Sequence, residues 1–206
     1  NFSFDRDKQP KALLPTDITL PSRDVQNHQD KMDVNQAKLV MGYRTQIAFD
    51  NPLHCALLVY SGILGGFPHS KLFTRVREEA NLAYYIHSRL ERHKGLMFIS
   101  AGIDHADFEQ ARSIIDRQVN ELAQGIISDS ELHNTKRGLI NQLNSRMDSP
   151  NQIISFYLDG FIGGRSRSIG EIVRGIEAVD LKDIQSVAER IKLDTVYMLR
   201  PRKGES

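Results

Sequence analysis

Arg77 and Tyr84 stand seven residues apart in "SKLFTRVREEANLAYYIHS", and both side chains end in hydrogen-bond donors. Such donors can converge on a carbonyl oxygen, and on the oxyanion that forms from it in acyl transfer. The same pair also has a purely structural reading. Arg77 can lay its stem along an apolar stripe and pair with Glu78, Glu79 or another surface acid, while Tyr84 fills the core with its hydroxyl satisfied. Periodicity leaves both readings open.

Little else in the chain is arranged for catalysis. The histidines are His28, His54, His69, His87, His93, His105 and His133; no two are three or four apart, and neither H-E-x-x-H nor H-x-x-E-H occurs. Zinc hydrolases need such a pair one helical turn apart, so no metal site is expected within this chain. There is no G-x-S-x-G elbow, and His54 beside Cys55 is a spacing that keeps the two side chains from facing each other on a helix. "GGFPHSK" lacks the phosphate-loop pattern, and its glycines read as a helix stop. Arg165, Arg167 and Arg174 read as a solvated basic face.

The bulk numbers narrow the classes further. Lys and Arg number 27 against 26 Asp and Glu, so no net field draws the chain to nucleic acid or to an anionic membrane. Cys55 is the one cysteine and sits in "LHCALLVYSGIL", which excludes an intrachain disulfide and reads as a buried, inert thiol. No run approaches the ~18 apolar residues of a membrane span, and a cytoplasmic protein is expected. The start at Asn rather than Met suggests removal of something upstream.

Residues 1–34, with Pro10, Pro15 and Pro21 among polar neighbours, read as a linker or N-terminal arm, and residues 35–206 as one domain. From Ala37 to Ala48 apolar residues alternate as in a half-buried strand. "DNPLHCALLVYSGILGG" predicts a buried helix with Asn51 as N-cap, Pro52 in its first turn and Gly65 or Gly66 at its end. Ser70 is the expected cap of a short helix with Leu72, Phe73, Val76 and Ala80 on one stripe and Arg77 at its margin. "RHKG" predicts a hairpin turn between strands in 82–92 and 96–103, with Leu82, Tyr84, Ile86 and Leu90 sharing the apolar face. Helices are expected after Asp104 and after the capping box "SDSE", then around 153–161, 169–176 and from the cap Asp180, with a last strand at "DTVYML". Helices with at least four strands and a clear hairpin argue for α+β, a mainly antiparallel sheet flanked by helices.

The order "QAKLVMGYRT", "SGILGGFPHSKLFTRVREEANLAYYIHS", "KGLMFISAGI" resembles the C-terminal domain of the insulinase and pitrilysin zinc metallopeptidases, the family of mitochondrial processing peptidase. That resemblance covers roughly residues 35 to 199. It implies that zinc belongs to a missing N-terminal half, that the partner is that homologous domain or a paralogous subunit, and that Arg77 and Tyr84 bind substrate at a peptide carbonyl. A further resemblance, on "GGFPHSKLF" and "LAYYIHSRLERHKG", is to bacterial members regarded as inactive. Glu79, where active members often carry Lys, and the doubled Tyr85 depart from the active pattern. The leading expectation is a non-catalytic domain that helps form a peptide-holding chamber. The alternatives are half of an active zinc endopeptidase, with Arg77 on the oxyanion, and a scaffold with no peptide substrate.

Overall fold

Strand β2 (Ala37–Arg44) carries the alternation seen in the sequence: Ala37, Leu39, Met41 and Tyr43 are buried, as are Thr45 and Ile47 beyond its end. In the computed structural model, which describes Ile18 and residues 24–202, this strand lies at the centre of a five-stranded sheet of order β1-β5-β2-β4-β3. Its neighbours β4 (Leu96–Ile103) and β5 (Lys192–Pro201) run antiparallel to it, and β3 (Ala83–Glu91) runs antiparallel to β4. Cross-strand pairs such as Met41 with Ile99 and Leu39 with Ala101 put apolar side chains opposite each other on the covered face.

The fifth strand, β1 (Gln26–Met32), pairs in parallel with β5 and comes from the stretch read as linker or arm. Its sequence, QNHQDKM, has no apolar alternation because nearly every residue in it is exposed; backbone pairing and not burial makes it a strand. Pro10, Pro15 and Pro21 lie outside the described residues.

A helical layer covers the buried face. Helix α1 (His54–Ser61) buries most of its surface, as its all-round apolar sequence requires. It starts later than expected: the Asn51 side chain accepts from the Leu53 N–H at 2.9 Å and forms a turn ahead of the helix instead of capping it. Helices α2 (Phe108–Ala123) and α3 (Asp129–Ser145) both form, with Ala111, Ile115, Leu122 and Leu143 in the core, but they lie mainly against later helices and not on each other. Then come α4 (Pro150–Ile162), α5 (Ile169–Ala178) and α6 (Leu181–Arg190). Leu181, expected inward, is 39% exposed because its place beside the cap Asp180 turns it to the rim. The architecture is α+β with a mixed sheet, antiparallel except where β1 joins β5.

Three helices begin with complete capping boxes, Ser128 with Glu131, Ser168 with Glu171, and Asp180 with Asp183. Ser128→Ala removes an acceptor for the Glu131 N–H. A loss of about 1 kcal/mol, or ~2–4 °C in Tm, is expected by calorimetry. An unchanged Tm would show that water replaces the cap at no cost.

The charged residues near the helix ends are less free than the sequence suggests. Arg165 donates to the Asp50 carbonyl at 3.0 Å, and Arg167 donates to those of Phe49 and Asn51. These two members of the basic cluster tie the loop before α5 to the loop before α1; the half-buried Arg167 departs from the solvated-face reading, while Arg165 remains exposed. Cys55 is half-buried against α5, where a Cβ on Gly175 would come within 2.6 Å of its sulfur, and burial raises its thiol pKa.

Candidate functional site

The segment between α1 and β3 is shaped by close approach and then by a wide helical turn. After α1 the chain continues as a π-helical turn, Gly62–Gly66, that brings Gly65 against β3; a Cβ there would lie 2.6 Å from the Ser88 backbone nitrogen. Ser88 closes the contact, donating its hydroxyl to the Ser61 carbonyl at 2.7 Å, with the two hydroxyl oxygens 2.9 Å apart. Lys71, 7% exposed, then reaches Glu131 of α3 at 3.1 Å and Glu121 of α2 at 3.6 Å. Burial opposes ionisation of Glu131, but hydrogen bonds from Ser128 and from Lys71 outweigh it and lower its pKa. The buried lysine thus fixes the start of the next segment to both helices.

That segment, Phe73–Glu79, is π-helical and not the α-helix expected. Only Leu72 and Val76 of the expected stripe are deeply buried, because wider winding carries Phe73 and Ala80 to its edge. Ser70 does not cap it: its hydroxyl is buried without a hydrogen-bond partner, while its carbonyl accepts from Thr74. The segment ends at Asn81, whose φ of 53° turns the chain back so that the Leu82 N–H bonds the Val76 carbonyl at 2.9 Å. Asn is the residue most tolerant of that backbone after Gly.

Strand β3 opens with a bulge. Ala83 lies opposite Ile103 and Tyr85 opposite Gly102, leaving Tyr84 as the extra residue. Ala83 and Ile86 are buried, and Tyr84 is 68% exposed, so the expected sharing of the apolar face by Tyr84 fails at the bulge. Tyr84 therefore does not fill the core. Arg77 is also exposed, its guanidinium 4.7 Å from the centre of the Phe73 ring. The two line one open groove with Phe73, Glu78, Asn81 and Ala83. Of these, sequence reading missed Glu78 and Asn81; the only available signal was an Asn at the helix-to-strand junction.

The residues that depart from the active pattern do not line this groove. Glu79 is held by Arg75, at 2.6 and 2.7 Å, on the outer side of the segment. Tyr85 lies with its ring across Gly102 and stacks on His87 at 5.9 Å. Among the described residues no group of three or more His, Cys, Asp or Glu is placed to hold a metal ion, so these residues do not fit zinc. Also among them, no helix is long and apolar enough to cross a membrane.

Comparison with known proteins bears on the family and the fold. The chain is 40% identical over 177 residues to the probable inactive metalloprotease YmfF of Bacillus subtilis (strain 168), covering 86% of this chain and 42% of that protein. A conserved protein from Enterococcus faecalis V583 superposes with a TM-score of 0.85 at 30% identity, over 91% of this chain and 44% of the other. The peptidase M16 inactive domain from Pseudomonas fluorescens shares the fold, with a TM-score of 0.70 at 17% identity over 88% and 45% of the two chains. The chain thus spans somewhat under half the length of these relatives. The family profile described as peptidase M16 inactive domain matches residues 4–139, and it is to this family that the chain belongs.

Proposed function

We propose that this peptidase-like domain is non-catalytic and holds an extended peptide in a chamber formed with a homologous domain or subunit. The observation that carries the reading is the edge position of β3 beside the Arg77–Tyr84 groove. An edge strand offers unpaired N–H and C=O groups to which an extended peptide can add as a further strand. Arg77 and Tyr84, at the start of that strand, supply donors for a peptide carbonyl beyond the ladder. Catalysis would need a metal or nucleophile from outside this chain, whose sequence has no H-x-x-E-H motif. The B. subtilis relative is named a probable inactive metalloprotease, which supports the non-catalytic part of this reading.

The test is fluorescence anisotropy with a labelled, extended decapeptide. Arg77→Ala and Tyr84→Ala are each expected to weaken binding about tenfold, with Tm unchanged because both side chains are exposed. Equal affinity of both variants and the parent would overturn the role of the pair. Absence of peptide binding altogether would favour the scaffold reading.

A further inference from the structure

A second concavity lies between α1, β3, α3, α4 and α5 and shares no residue with the groove. Its volume is about 360 Å³. Leu58, Phe67, Leu139, Leu143, Phe156 and Ile176 give it a mainly apolar wall. Into that wall are set Arg89, Arg92, Arg146 and Arg167, and among the described residues no carboxylate lines it.

The cations are incompletely answered. Asp159 lies at 3.3 Å from Arg92 and 3.8 Å from His93. Arg167 spends its terminal nitrogen on two backbone carbonyls, and its buried Nε has no partner. His54, 1% exposed, also lines the cavity with its Nδ1 unpartnered. Burial and then Arg92 and Arg167 hold His54 down to about 3, as expected in a positive, poorly hydrated site.

We infer that this cavity binds a small amphipathic carboxylate, an apolar chain carrying one anionic head. The apolar wall takes the chain, and the arginine forks take the head. Such a carboxylate can come from a free aliphatic acid or from the C-terminus of a peptide ending in an apolar residue.

Calorimetric titration with sodium decanoate tests the site, with decanol as the neutral chain of equal length. Saturable binding at one equivalent, at least tenfold tighter for decanoate than for decanol, is expected. Arg146→Gln should weaken decanoate about tenfold, and Leu139→Trp, which fills the cavity, should abolish binding. Tm measurements identify any variant that has lost its fold, and Arg146→Gln keeps the test open if Leu139→Trp does. Equal affinity for decanol and decanoate, or no binding of decanoate, overturns the inference, as does unchanged affinity in a folded Arg146→Gln variant. A leucine-terminated pentapeptide distinguishes the sources of the carboxylate. Competition by its free acid but not its amide marks a peptide terminus as a source, whereas no competition by either leaves the free acid. Both outcomes sustain the carboxylate site.

Discussion

Gly65→Ala is expected to destabilise the domain by about 3 kcal/mol, and Gly66→Ala by less than about 1 kcal/mol. The contrast comes from what each new methyl would meet. At Gly65 it would lie 2.6 Å from the Ser88 backbone nitrogen and 3.1 Å from both Ser88 Cβ and Leu72 Cδ1. Backbone on one side and a fully buried leucine on the other leave no soft direction for relief. At Gly66 the nearest neighbour is the Ser61 carbonyl at 3.4 Å, an ordinary contact. Thermal unfolding should place the Gly65 variant ~6–12 °C below the parent. Equal Tm values for the two variants would show that the contact between β3 and the Gly62–Gly66 turn yields easily.

The second large effect is in acid. Unfolded His54 takes up its proton near its ordinary pKa of 6.5, while the folded site withholds it until about pH 3, chiefly through burial and then through Arg92 and Arg167. Between those values the unfolded chain binds more protons, so stability is full above pH 6.5 and falls as pH falls. The expected loss between pH 8 and pH 5 is about 2 kcal/mol, or ~4–8 °C in Tm. Glu131, with its pKa lowered, loses its contribution only as pH drops through and below its ordinary 4.5, so it adds little in that window. His54→Leu should flatten the slope between pH 8 and pH 5. A variant as acid-sensitive as the parent would remove His54 as the cause.

Much of the fold was legible because its signals are local. The alternation in Ala37–Arg44 is a burial pattern written directly in residue type, and "SDSE" contains both halves of a hydrogen-bonded cap. The features that failed depend on partners distant in sequence. QNHQDKM forms β1 only because β5 offers a free edge, 167 residues away in the case of the Asp30–Tyr197 hydrogen bond. The glycine pair read correctly as the end of a helix, yet nothing local said which glycine touches another strand. Arg77 and Tyr84 were singled out by their donors and spacing and given a role by resemblance, but the exposure of Tyr84 was not foreseen: a single extra residue in β3 inverts the parity on which its expectation rested. The cavity around His54 had no sequence signature at all, since its arginines come from β3, the turn after it, the end of α3 and the loop before α5.

The bulge also bears on self-association. A long, flat edge strand is a template on which copies of a protein stack edge to edge. In β3 the ladder is broken at Tyr84, and Arg89 and Glu91 place charge near the opposite end. A second copy would have to accommodate the same bulge and match these charges in register, whereas an extended peptide can pair with the regular stretch from Tyr85 to Glu91. The irregularity that turns Tyr84 outward thus counts against edge-to-edge stacking of copies while leaving the regular part of the strand open to a peptide.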